Sequence, residues 1–200
     1  MTETATFWFD PACPFTWATS RWLRSTAARH GAVVDWQLMS LGILNEGGEI
    51  PEQYREMMAA AAGVRRVLAA TAGTAGTAGQ DGVDRLYTAI GERVHDKGES
   101  LGPDVTRAAL AAAGLPASLA EAADDDSHDA AVRASHEAGQ ARVGTQAGSP
   151  ILAIGEGPGF FGPVIAPTPD DAAADRLYQA MQLLSTVPQF SELKRARNPL

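Results

Sequence analysis

Apolar residues alternate or run in short blocks near both ends of the chain, and recur at three- and four-residue spacings through its middle. Residues 4–10 (TATFWFD) combine β-branched and aromatic side chains without Gly or Pro, which predicts a strand. Residues 15–29 predict a helix. Pro14 suits its first turn, where no amide donor is needed, and Gly31 suits the position just past its end. Residues 32–40 alternate, with Val34, Trp36 and Leu38 on one face and Asp35 and Gln37 on the other, as a second strand would. A strand–helix–strand unit with so short a return predicts parallel neighbours and a right-handed connection.

The middle of the chain reads as helices. Pro51 is expected to open one that runs through Tyr54, Met57, Met58, Val64 and Leu68. Val83, Leu86, Tyr87, Ile90 and Val94 form an amphipathic stripe, and Gly98 is expected to end that helix. Pro103 opens another, stopped at Gly114, and Pro116 opens a short one. Ser127 is expected to cap the last, which runs to Gly144. Residues 71–79 repeat Thr-Ala-Gly. Gly at every third position opposes a helix, so a flexible surface loop is expected there.

Beyond Gly148 the pattern returns to strands. Residues 149–154 and 160–162 flank a Gly- and Pro-rich turn at 155–159, predicting an antiparallel hairpin. Thr168 is expected to cap a final helix, with Pro169 and Asp171 in its first turn and Leu177, Met181 and Leu184 as its core stripe. The basic tail, 192–200, is expected to fray. The order β-α-β, helices, β-β-α is that of the two halves of a thioredoxin fold, an α/β class. Residues 1–44 and 148–200 would form it, with 45–147 as an inserted all-helical subdomain.

A chain of 200 residues can bury a core without disulfide staples. Its net charge of −8 would repel phosphate backbones, so a nucleic-acid partner is not expected. No apolar run approaches the ~20 residues that span a bilayer. The first nine residues have neither the basic stretch nor the apolar core of a signal peptide, so a cytoplasmic location is expected. His30, His128 and His136 are expected at the surface, Trp8 and Trp36 in the core. No His has metal-ligand spacing with the cysteine, and no phosphate-binding glycine motif occurs, so neither a metal nor a tightly bound cofactor is expected.

The chain has one cysteine, Cys13, so it can make no intrachain disulfide. Such a residue is either a small buried hydrophobe or a reactive thiol. Its place at a helix start favours the thiolate, because free amides and the positive end of the helix dipole face it. A lowered thiol pKa is expected, opposed by Asp10 if that carboxylate faces the sulfur. In the frame Cys13-Pro14-Phe15-Thr16, residues three apart share a helix face, so the Thr16 hydroxyl can point at the sulfur. A hydroxyl cannot resolve a mixed disulfide, so an outside thiol must. Phe15, Trp17, Tyr54 and His95 could line a cleft between the two parts, and His95 could carry a proton near neutral pH. The plainer readings are core filler for Tyr54 and a solvent-facing residue for His95.

The segment Phe7-Trp8-Phe9-Asp10-Pro11-Ala12-Cys13-Pro14-Phe15-Thr16 resembles the active-site segment of DsbA-like oxidoreductases. It is most similar to the actinobacterial branch that includes mycothiol-dependent nitroreductases and polyketide-pathway oxidoreductases. The likeness continues through Met39-Ser40-Leu41, Asn45-Glu46, Pro51-Glu52-Gln53-Tyr54-Arg55-Glu56, Leu86-Tyr87-Thr88-Ala89-Ile90-Gly91, Gly148-Ser149-Pro150, Phe161-Gly162-Pro163-Val164 and Glu192-Leu193-Lys194-Arg195. The resemblance implies a helical subdomain over the active site, a cis-Pro150 facing Cys13, and alignment of the substrate by Ser149 and Pro150. Two positions depart from the family pattern. Thr16 replaces the usual second cysteine, and Ser149 stands where Thr is common.

The first departure leaves monothiol chemistry. Cys13 would use mycothiol to reduce a mixed disulfide or a small electrophile, as a monomer or homodimer. Two alternatives stay open. A kappa-type thiol transferase or isomerase would hold an external thiolate with Thr16. A binding protein would keep the fold without the chemistry.

Overall fold

A computed structural model describes residues 2–48, 52–73 and 79–199. In chain order the elements are β1 (Thr4–Phe9), α1 (Pro14–Arg29), β2 (Val33–Leu38), α2 (Leu41–Leu44), α3 (Glu52–Gly73) and α4 (Gly79–Gly91). A π-helical turn (Glu92–Asp96), α5 (Pro103–Ala112), two 3₁₀ segments (Ala117–Asp124 and Asp126–His128) and α6 (Asp129–Val143) follow. β3 (Ile151–Ile154), β4 (Gly159–Phe161) and α7 (Asp171–Ser185) complete the chain. It divides into two compact units, residues 1–9, 13–37 and 138–200, and residues 10–12 and 38–137.

The first unit carries a four-stranded sheet in the order β2-β1-β3-β4. β3 is antiparallel to β1, with Trp8 opposite Ile151, and to β4, with Ile151 opposite Phe161. All four β3 residues are buried, which is why that strand reads as an unbroken apolar run. Trp36 meets Phe7 and Phe9 edge-on, at 5.6 and 6.0 Å between centroids. Trp8 and Trp36 are both in the core. α1 buries Trp22 and Leu23, and the Trp22 indole donates to the Ala174 carbonyl of α7 at 3.1 Å. Gly31 follows α1 with φ +68°, the left-handed backbone that only Gly adopts without strain.

α7 starts later than the sequence pattern suggested. Asp170, not Thr168, is the cap, and its carboxylate accepts from the Ala173 amide at 2.8 Å. Asp is as good a cap as Ser or Thr, so either frame was chemically sound. The buried stripe is accordingly Ala174, Tyr178 and Met181, while Leu177 and Leu184 are half-buried.

The second unit is helical, as the middle of the sequence indicated. The Val83–Ile90 stripe is buried on α4, but Val94 lies in the π-helical turn that follows. Pro51 lies outside the described residues. Thr71, Ala72 and Gly73, read as loop, are the end of α3: Thr71 is fully buried and its hydroxyl donates to the Val67 carbonyl at 2.8 Å. Residues 74–78 of the repeat lie outside the described residues. Ser127 does not cap α6. It sits in a 3₁₀ turn capped by Asp125, whose carboxylate accepts from the Ser127 amide at 3.0 Å.

His136, expected at the surface, is only 4% exposed. Its Nδ1 accepts from the Ser40 amide at 3.4 Å. His30 and His128 are half-buried, beside Asp175 and Asp125 respectively. None of the described helices is long and apolar enough to cross a membrane.

Candidate active site

Cys13 is the residue just before α1. Its φ and ψ of −91° and 114° are extended, its carbonyl accepts the first helical hydrogen bond from the Trp17 amide at 3.1 Å, and Pro14 occupies the first helical position. The side chain makes no cap hydrogen bond. The sulfur therefore stands at the helix start without satisfying the amides there, the placement in which a thiolate gains most.

Ser149 is the partner of this segment. Cys13 Sγ lies 3.8 Å from the Ser149 carbonyl oxygen. Thr16 Oγ1 lies 2.6 Å from Ser149 Oγ, with Thr16 fully buried and Ser149 7% exposed. Both ends of the Cys-x-x-Thr frame thus meet one residue, 133 or more positions away in the chain. The Ser149–Pro150 peptide is cis.

Local pairing explains how Ser149 is delivered. Ile151 begins β3 between β1 and β4, and the Gly162 amide donates to the Pro150 carbonyl at 2.8 Å. On the other side, the Thr19 hydroxyl bonds the Phe15 and Pro163 carbonyls at 3.0 and 2.9 Å, tying α1 to the segment after β4. Phe15 is half-buried and Pro14 exposed. Trp17, expected at a cleft wall, is 6% exposed and carries the Arg21 guanidinium 4.0 Å above its ring.

The helical unit contains its own cluster around residues 10–12. The fully buried Asp10 accepts from the Ala12 amide at 2.9 Å through Oδ1, and through Oδ2 from the Leu41 amide at 2.7 Å and Arg65 Nη1 at 3.0 Å. The carboxylate that the sequence set against the sulfur thus has a cation and two amides of its own. Arg65 was missed by the sequence reading. The available signal was an arginine on the buried phase of α3, between Val64 and Leu68. His95 Nε2 is 2.9 Å from the Pro11 carbonyl oxygen, and burial holds the imidazole pKa below its ordinary 6.5. The Tyr54 side chain lies outside the described residues. Among the described residues no group of three or more His, Cys, Asp or Glu is placed to hold a metal ion.

Comparison with known proteins identifies the family and the fold. A family model described as Rv2466c-like, mycothiol-dependent nitroreductase Rv2466c, matches residues 12–195. The uncharacterized protein Rv2286c of Mycobacterium tuberculosis is 32% identical over 199 residues, 98% of this chain and 83% of that protein. Among solved structures, the probable DsbA oxidoreductase SCO1869 of Streptomyces coelicolor superposes with a TM-score of 0.61 at 16% identity, covering 97% of this chain and 94% of that one. The cytosolic disulfide reductase DsbM of Pseudomonas aeruginosa gives 0.58 at 19%, covering 90% and 99%. A 2-hydroxychromene-2-carboxylate isomerase gives 0.57 at 16%, covering 90% and 93%. These structural likenesses establish the DsbA-like thioredoxin fold.

Proposed function

We propose, from the premise that the chain belongs to the Rv2466c-like, mycothiol-dependent nitroreductase family, that it is a monothiol reductase working through Cys13 in the cytoplasm. It is an enzyme of the thiol-disulfide oxidoreductase type. The observation that carries the monothiol reading is the convergence of Cys13 and Thr16 on Ser149, with no second cysteine anywhere in the chain.

In this reading the Cys13 thiolate attacks one sulfur of a mixed disulfide. A Cys13–sulfur bond forms, the old S–S bond breaks, and the other half leaves as a thiolate with the electron pair. Mycothiol, as its thiolate, then attacks the Cys13 adduct, frees Cys13 and carries away the oxidised sulfur as a disulfide. The helix start stabilises the Cys13 thiolate in both steps. Ser149 and Pro150 align the incoming disulfide, and small electrophiles such as nitro compounds are a second substrate class.

The transferase or isomerase reading needs the Thr16 hydroxyl to face an incoming thiolate. That hydroxyl is fully buried against Ser149, which favours Cys13 as the reacting group.

Mass spectrometry after incubation with mycothiol disulfide tests the proposal. One mycothiol adduct on Cys13 is expected, released by fresh mycothiol and absent in Cys13→Ser. Absence of the adduct, or alkylation that titrates at the ~8.5 of a free cysteine, would overturn it. Turnover that survives Cys13→Ser but not Thr16→Val would establish the transferase reading instead.

A further inference from the structure

Arg197 lies beyond α7, in a segment with no helix or strand. The next residue anchors it: the Asn198 side-chain amide donates to the Ala166 carbonyl at 2.9 Å. The Arg197 guanidinium stands 5.1 Å from the Phe15 ring centroid and 5.8 Å from that of Phe161. Both distances lie within cation–π range.

The two rings belong to the surroundings of the sulfur. Phe15 is the second residue of α1, inside the Cys13–Thr16 frame. Phe161 ends β4, pairs with Ile151 and is 42% exposed. A Cβ built on Gly148 would lie 3.3 Å from the Phe161 ring, so the ring rests against the residue that precedes Ser149. A chain of contacts therefore runs from Cys13 through Ser149, Gly148 and Phe161 to Arg197, whose guanidinium also stands over Phe15.

Other arginines here are held by carboxylates: Arg29 by Asp175, Arg66 by Asp129, Arg93 by Glu99 and Arg133 by Glu46. Arg197 makes no ion pair with a carboxylate among the described residues. Its donors stay available while its position is fixed by two rings. A guanidinium matches a carboxylate in a two-pronged contact, and aromatic rings beside it, Phe161 being 42% exposed, pack against a flat group.

We infer that Arg197, Phe15 and Phe161 form a subsite for a flat, carboxylate-bearing substituent on the disulfide that Cys13 attacks. The inference rests on Cys13 being the nucleophile. It names the substrate class: anionic, preferably aromatic disulfides over neutral ones. Arg197 acts on binding and orientation, and the sulfur exchange itself is the step written above.

Two disulfides test it. Dithiobis-nitrobenzoate carries a ring carboxylate on each half, and dithiodipyridine is flat and uncharged. Cys13 is the sole thiol, so stopped-flow absorbance of the released thiolate reports on it alone. Arg197→Gln is expected to lower the ratio of the two rates, carboxylated over uncharged, about tenfold at low salt. Lys194→Gln, removing the same charge from the same tail, is expected to leave the ratio unchanged. An unaltered ratio in Arg197→Gln, or an equal fall with Lys194→Gln, overturns the subsite.

If neither disulfide reacts with the parent protein, the nucleophile reading falls. Calorimetry with nitrobenzoate and nitrobenzamide then decides the subsite separately. Tighter binding of the carboxylate that is lost in Arg197→Gln supports it, and equal affinity of the two ligands refutes it.

Discussion

The hydroxyls of Thr16 and Ser149 lie 2.6 Å apart, joining the first turn of α1 to the cis peptide that leads into β3. Both residues are buried, so this contact helps fix the loop that faces Cys13. Thr16→Val keeps the shape and removes the hydroxyl. A lost buried hydrogen bond of this kind is worth about 1–3 kcal/mol. Urea denaturation should show a loss in that range.

Thr16→Cys should change the chemistry rather than the fold. It creates a Cys-x-x-Cys frame at the start of a helix, where a second thiolate can attack a Cys13 adduct within the same molecule. Mass spectrometry should find an internal disulfide in place of a stable mycothiol adduct. The adduct lifetime should fall by on the order of tenfold or more. A persistent adduct in this variant would mean that position 16 cannot reach the Cys13 sulfur.

The pH dependence of stability follows from two histidines. Burial, the largest influence on each, holds His136 and His95 below the ordinary value of 6.5. For His136, Arg133 pushes the same way, while Glu137, Glu46 and Asp10 oppose it. Both imidazoles are neutral in the folded and unfolded states well above 6.5. As pH falls below that value, the unfolded chain takes up protons that the folded chain resists, so stability falls. Urea midpoints should be level from pH 8 to about 7 and decline toward pH 5. His136→Gln retains an acceptor for the Ser40 amide and should flatten the decline.

Much of the fold was legible because periodicity and punctuation agreed. The alternation over 32–40, the apolar run at 151–154 and the Pro and Gly bounds of α1 and α5 are local signals, and local backbone chemistry decides them. What was misread depended on tertiary context. Asp170 and Thr168 are equally good caps on paper, and packing of Tyr178 and Ala174 settles the frame. Thr71 sits in a repeat that opposes helix, yet its burial carries α3 through Gly73. His136 gave no sign that Ser40, 96 residues away, would need its nitrogen. The site divided the same way. Cys13, Thr16, Ser149 and Pro150 came from motif and resemblance. Helical phase marks Arg65 as buried, but its pairing with Asp10, 55 residues away, and the approach of Arg197 to Phe15 are long-range contacts that no spacing rule reveals.

Asp10 and Arg65 form a buried ion pair, with side chains 1% and 5% exposed. Removing one member leaves an uncompensated charge, at about 3–5 kcal/mol. Arg65→Met should show that loss in urea denaturation. Adding Asp10→Asn should recover part of it, because the Asn carbonyl still accepts from the Ala12 or Leu41 amide and no longer carries charge. A double variant less stable than Arg65→Met would show that the charge on Asp10, rather than its missing partner, matters most to this cluster.

Gly139, inside α6, touches the Trp8 indole. A Cβ at this position would lie 2.9 Å from Trp8 Cδ1 and Cγ, closer than real contacts allow. Trp8 is 5% exposed, and its indole nitrogen has no hydrogen-bond partner among the described residues, so no polar contact stands to be lost if the ring shifts. Two effects then compete in Gly139→Ala. Replacing Gly by Ala within a helix gains about 0.8–1 kcal/mol of intrinsic propensity. Overpacking a filled core loses about 1–3 kcal/mol. The ring is held between β1 and α6, so overpacking should win. The expected net loss is about 1 kcal/mol by urea denaturation, with a shifted tryptophan emission from the displaced ring. A gain of stability would mean that the Trp8 ring yields freely, and that small size at 139 is not required by the contact.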